Sequence, residues 1–301
     1  MVGFSINSQL QASVFFFFLS VYVLTLIGNI IIIAIIQTND CLLHSPMYLF
    51  LSHLSFIEII YTTTISPNLL DLILKRQKII TLSSCLIQLY LFLCLVSTEN
   101  FLLATMAYDR YLAICKPLHY HTKMGNGKCK MLALFCWFGG FLINISPIIL
   151  IYLIKYCDHP KINHFFCDVS PLLSLSCTDI TSIQLLEHVA ASMVLLSSCL
   201  VIVMSYILIV SAILKIQTSV GRKKAFSTCA SHLTVVILFF VPGILIYISP
   251  LPQKSVSLNK WVSLLYTELT PLLNPFVYSL RNEDEKRGTG TFPNFFLHNY
   301  K

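Results

Sequence analysis

The sequence predicts an all-α fold: one bundle of seven transmembrane helices, N-terminus extracellular and C-terminus cytoplasmic. Three observations carry that expectation. Hydrophobic residues make up 56% of the 301 positions and charged residues only 11%, with a mean hydropathy of +0.78. An ordinary soluble domain carries about 25% charged residues. Seven apolar runs each reach the roughly 20 residues that a hydrocarbon core requires. Finally, Lys and Arg divide unevenly between the segments that join those runs. The composition excludes a cytosolic enzyme, a coiled coil and a disordered regulator. Nucleic acid is excluded as a partner because the net +7 is spread over loops and not gathered on one face.

The runs lie at 13–36, 47–74, 84–114, 131–154, 184–214, 225–248 and 261–280. Their length and continuity fit helices and not the short alternating strands of a barrel. The first has no basic residues before it and is too long for a cleaved signal peptide, so it reads as its own insertion signal. The second contains Glu58. The third contains Glu99 and closes on Asp109-Arg110. The fourth carries the single Asn-x-Ser/Thr of the chain, Asn144-Ile145-Ser146, at a depth where glycosylation is not expected. The sixth carries Pro242, an expected kink site, and the seventh ends near residue 280. Residues 1–282 therefore form one membrane domain, without internal repeats, and 283–301 form a tail.

With the N-terminus outside, the inner segments hold Arg110, Lys116, Lys123, Lys128, Lys130, Lys215, Arg222, Lys223, Lys224, Arg281, Lys286, Arg287 and Lys301. The outer segments hold Lys75, Arg76, Lys78, Lys155, Lys161, Lys254 and Lys260. Thirteen against seven satisfies the positive-inside rule.

Ionisable groups inside a span are expensive and need a partner or a purpose. Four stand out: Glu58, Glu99, Asp109 and Arg110. At 1.5 Å per residue, Cys85 and Arg110 are roughly 37 Å apart along the third helix, near opposite membrane surfaces. Phe92, Val96 and Glu99 share one face of that helix. If Glu58 and Glu99 approach each other in the core, either one is protonated or a cation sits between them.

Cys157, Cys167 and Cys177 lie in the outer loop between the fourth and fifth runs, and Cys85 lies at the outer end of the third. Four cysteines allow three pairings, which spacing does not resolve. Cys41, Cys94, Cys115, Cys129, Cys136, Cys199 and Cys229 read as free, small apolar residues. His159 and His164 sit among the loop cysteines. Disulfide sulfurs are poor metal ligands, so both are expected to be solvated and not to bind metal.

The longer strings resemble those of the olfactory receptors, a branch of the rhodopsin-like G-protein-coupled receptors, in their tetrapod class II form and nearest to family 6. The resemblance rests on Gly28-Asn29, Pro46-Met47-Tyr48, Leu54-Ser55 with Glu58, the stretch Met106 to Tyr120 (MAYDRYLAICKPLHY), His164 to Asp168 (HFFCD), Ser205-Tyr206, Lys224 to Leu233 (KAFSTCASHL), Pro271 to Pro275 (PLLNP) and Tyr278 to Asn282 (YSLRN).

The resemblance implies disulfides Cys85–Cys167 and Cys157–Cys177, and a sodium site at Glu58 and Glu99 near Asn274. It implies a cavity for a small volatile, mostly apolar odorant, lined by Phe92, Leu93, Val96, Ser97, Ala190, Val194, Phe240, Gly243, Tyr247 and Thr267. A signalling switch is expected at Asp109, Arg110, Tyr111, Tyr206, Asn274, Pro275 and Tyr278, coupled to a stimulatory olfactory-type G protein. The implied location is the plasma membrane, in the cilia of olfactory sensory neurons.

Three features depart from the family pattern. No sequon precedes the first run. Phe239-Phe240-Val241 replaces the usual Phe-Tyr-Gly. The tail begins Glu283-Asp284-Glu285 and contains Gly288, Gly290 and Pro293, which oppose a regular helix. They favour, as the alternative, a poorly trafficked or non-signalling receptor remnant. A cation- or proton-coupled carrier would need repeats or broken midplane helices. An intramembrane enzyme would need a nucleophile–base pair at a defensible spacing.

Overall fold

The structure, a computed structural model, describes Met1 and residues 8–75, 77–157, 161–247, 256–275 and 277. The helices are α1 (Ser8–Thr38), α2 (Asp40–Leu43), α3 (Pro46–Lys75), α4 (Leu82–Cys115), α5 (Pro117–Lys123), α6 (Asn126–Ile143), α7 (Ile145–Tyr152), α8 (Val169–Leu173), α9 (Thr181–Leu214), α10 (Ser219–Tyr247) and α11 (Val256–Leu264). A π-helical turn, Leu265–Leu269, continues α11, and helix resumes through residue 275. Among the described residues, six segments are long and apolar enough to cross a membrane. The described part of the seventh run is helical with that one π-turn. The tail 283–301 lies outside the described residues.

Helices begin earlier than the apolar runs: α6 at Asn126 and not 131, α10 at Ser219 and not 225. Hydropathy marks where the chain is greasy, whereas a helix propagates through polar residues as long as its hydrogen bonds continue. Caps set some of the ends. Thr81 accepts from Ser84 N at 3.2 Å to open α4. Pro117 then starts α5 one residue after Lys116 closes α4.

The fourth span is not one helix. Pro147 has no N–H for the carbonyl four residues back, and the helix breaks at Asn144 into α6 and α7. At the break the Asn144 backbone N–H turns to Leu142 O, and its side-chain amide donates to Gly140 O at 2.7 Å, Ser97 Oγ at 3.0 Å and Leu93 O at 3.3 Å. Pro242 lies within α10, which continues to Tyr247.

The central element is α4, which packs against α3, α6 and α9 and also meets α5, α7 and α10. Its approach to α6 requires Gly140, because a Cβ there would collide with Thr98 Oγ1 and come within 2.9 Å of Cys94 O. Hydroxyls within the spans bond back to their own helix: Thr62 to Glu58 O and Thr98 to Cys94 O, at 2.7 and 2.8 Å. That satisfies polar groups where water is absent. Large apolar side chains such as Phe16, Ile30, Leu134, Phe138, Leu200 and Ile207 are exposed. On a soluble protein they would be a liability; here they are the lipid-facing surface.

Candidate ligand and signalling sites

The loop between α7 and α9 is a lid. Cys157 N donates to Leu175 O and Cys177 N to Lys155 O, and a Cys157–Cys177 disulfide closes this pinch. A second disulfide, Cys85–Cys167, ties the lid to α4. Gln88 reinforces it, accepting from Cys167 N at 3.1 Å and donating to Thr64 O at 2.7 Å.

Between the ties, His164, Phe165 and Phe166 are buried. The expectation that His164 is solvated is corrected. It is 2% exposed, stacked on Phe165 at 4.8 Å and edge-on to Phe166 at 4.7 Å. Burial, followed by the nearby charge of Lys260, pushes its imidazole down to about 3, so it is neutral. His159 lies outside the described residues. Asp168 caps α8, accepting from Val169 N at 2.8 Å, and burial pushes its carboxyl up to about 6. Among the described residues no cluster of three or more His, Cys, Asp or Glu could hold a metal ion.

Beneath the lid lies a cavity. Leu93, Val96, Ser97 and Asn100 of α4 form one wall, and Glu187, Ala190, Ala191, Val194 and Leu195 of α9 another. Asn144, Phe239, Gly243 and Tyr266 complete it. It offers about 40 Å³ to the centres of water-sized molecules, room for a few waters. A larger guest must displace side chains.

Of the residues expected to line a pocket, Leu93, Val96, Ser97, Ala190, Val194 and Gly243 do so. Phe92 does not; it joins an aromatic stack with Phe166 (4.9 Å), Tyr61 (5.6 Å) and Tyr266 (6.2 Å). Phe240 is buried while its neighbour Phe239 faces the cavity, and Thr267 yields that place to Tyr266. The side chain of Tyr247 is outside the described part. Glu187, Asn100 and Asn144, which the sequence does not single out as lining residues, are the polar groups of the wall besides Ser97 and Tyr266.

Further inward, Asn274 Nδ2 donates to Glu58 Oε1, and Asn29 and Glu99 are near enough to interact with Glu58. On the outer side of this group Glu268, unanticipated, accepts from Ser66 Oγ at 3.0 Å on both oxygens. Around Glu58 three buried oxygens have no hydrogen-bond partner among the described residues: Glu58 Oε2, Asn274 Oδ1 and Asn29 Oδ1. An all-oxygen set with idle acceptors suits a hard cation.

At the inner end, Asp109 Oδ1 accepts from Tyr120 Oη at 2.8 Å while Arg110 Nη2 sits 3.6 Å from Asp109 Oδ2. Tyr120 closes the MAYDRYLAICKPLHY string but is not among the expected switch residues. The Tyr111 ring lies 6.1 Å from that of Tyr108, with Lys116 Nζ 5.8 Å from its centre. Tyr206 Oη bonds His232 Nδ1 at 2.8 Å and Cys229 O at 3.3 Å, joining α9 to α10. Pro275 sits against Gly28, where a Cβ would approach to 3.1 Å. Tyr278 lies outside the described residues.

A largely apolar cavity at one end of a helical bundle, and an Asp-Arg pair at the other end of the same central helix, are the arrangement of a multi-pass membrane receptor. The chain belongs to the olfactory receptor family, whose model matches residues 18–289. It is 46% identical to human olfactory receptor 6Y1 over 286 residues, 95% of this chain and 88% of that one. It is 45% identical to human olfactory receptor 6F1 over 284 residues, 94% of this chain and 92% of the relative. It is 46% identical to rat olfactory receptor 226 over 291 residues, 95% and 89% of the two chains. Family and spans together make it a multi-pass plasma-membrane protein.

Proposed function

We propose that the cavity between α4, α9 and α10 binds a small, mostly apolar odorant and that binding is transmitted to a stimulatory heterotrimeric G protein at the inner end. The observation that carries this reading is the cavity itself: mostly apolar and set between α4, α9 and α10, with a doubly cross-linked loop at the same end of the bundle. An apolar guest gains about 25 cal/mol per Å² removed from water, while the few polar groups set its orientation.

Agonist binding must favour one helix arrangement over another. The elements that touch the guest, α4, α9 and α10, are those that carry Arg110, Tyr206 and His232. A guest wedged beside Phe239 and Gly243 acts on α10 directly and loads the Tyr206–His232 tie between α9 and α10. Arg110, held beside Asp109, is the charge offered to the G protein when these helices separate. Glu58, Asn274 and Asn29, with Glu99 beside them, would hold a sodium ion; bound, it would supply positive charge to the buried carboxylates and brace the bundle.

The test is an odorant-panel screen for cyclic-AMP responses, with surface receptor quantified in parallel. We expect agonists among small apolar odorants, and loss of their response in Ala191→Phe at unchanged surface level. Unaltered potency in Ala191→Phe would place binding elsewhere. A surface-delivered receptor silent to the whole panel would favour the non-signalling remnant.

A further inference from the structure

Glu187 is 7% exposed, faces an otherwise largely apolar cavity, and makes no hydrogen bond or ion pair among the described residues. A carboxyl so placed needs a partner. The protein supplies another acid instead: Asp168 of the lid is near enough for the two to interact. It is buried as well, and its one described partner is the Val169 amide. No described Lys or Arg pairs with either.

The rest of the polar wall leans the same way. Asn100 Nδ2 donates to Val96 O at 2.8 Å, leaving Asn100 Oδ1 buried and without a partner. Asn144 Nδ2 is engaged by Gly140 O, Leu93 O and Ser97 Oγ. The amide donors are used internally, and acceptors are what remains for a guest. A guest that brings donors and positive charge on a small apolar body satisfies all of them.

We infer that Glu187 is a specificity-determining anchor that selects small aliphatic amines, bound as ammonium ions, over uncharged molecules of the same shape. An ammonium carries three donors and the charge that the Glu187–Asp168 pair lacks. The carbon chain would lie along Val194, Leu195 and Phe239. This deepens the odorant-receptor reading and rests on its cavity, though not on its signalling.

The probes are straight-chain primary amines of four to eight carbons, each paired with the alcohol of equal length. Binding is read as thermal stabilisation of the purified full-length receptor, and signalling as cyclic AMP in cells with matched surface protein. At least one amine should stabilise the receptor more than its paired alcohol. Charge-assisted hydrogen bonds of this kind correspond to about tenfold or more in affinity. Glu187→Gln should remove the amine's advantage while leaving the alcohol's effect in place, and Glu187→Asp should restore part of it.

Should alcohols match or exceed amines, no amine stabilise the receptor at millimolar concentration, or Glu187→Gln leave the amine preference intact, the inference is overturned. Amine binding without any cyclic-AMP response would uphold Glu187 and contradict the signalling proposal. Cyclic-AMP responses to uncharged odorants with no binding of any amine would do the reverse.

Discussion

Single side chains decide where helices can meet. Gly140 leaves no room for a methyl group: a Cβ at that position would collide with Thr98 Oγ1 and lie 2.7 Å from Thr98 N. Gly127, near the start of the same helix, has nothing within 4 Å of the equivalent point. Gly140→Ala should therefore cost about 1–3 kcal/mol by forcing α4 and α6 apart, seen as a lowered thermal midpoint and less surface receptor. Gly127→Ala should match the parent or exceed it slightly, since alanine is the better helix former. Equal behaviour of the two would refute the close approach. The same scale shows what a sequence leaves hidden. Glu187 shares a helical face with Ala190, Ala191 and Val194, at spacings of three, four and seven. Ala190 and Val194 are legible as lining residues, so periodicity carries the signal. Glu187 escapes because it lies near the start of an apolar run, where an acid reads as the end of a span.

Among the elements, the lid makes a pH-dependent prediction with opposing signs. His164 has its pKa lowered from 6.5 to about 3. Its contribution to stability is present above 6.5 and is lost as pH falls below that value. Asp168 is raised from 3.8 to about 6. Its contribution is full below 3.8 and is lost as pH rises through 6. Between pH 6 and 4 the two oppose, each with a limiting slope of about 1.4 kcal/mol per pH unit. Thermal midpoints of the purified receptor should then rise on acidification in His164→Gln and fall in Asp168→Asn, with the parent between them. Parallel profiles for all three proteins would show that neither group is buried as described. The pairing of the four outer cysteines is unreadable from spacing and comes only from resemblance; the fold itself sets them side by side. Two elements are illegible for geometric reasons. The fourth run reads as one helix, and its break at Asn144, three residues before Pro147, shows only once Asn144 is seen bonding Gly140 O, Ser97 Oγ and Leu93 O. In the seventh, the resemblance implies Thr267 at the cavity, whereas the helix, through its π-turn, sets Tyr266 there.

For the whole molecule, seven apolar runs and an uneven division of basic residues are enough to read the bundle and its orientation, because lipid imposes strict rules on backbone and charge. The interior is less legible. Four in-membrane charges stand out in the sequence; Glu187 and Glu268 also fall within the runs 184–214 and 261–280, but their place in the polar interior shows only once the helices are set side by side. The central claim is that a guest in the outer cavity acts through α4, α9 and α10 on Arg110 at the inner end. The most direct test is the odorant-evoked cyclic-AMP response of Arg110→Ala, compared with the parent at equal surface level, with agonist binding measured on the same two purified proteins. Binding should persist and the response disappear. A full cyclic-AMP response from Arg110→Ala would contradict it.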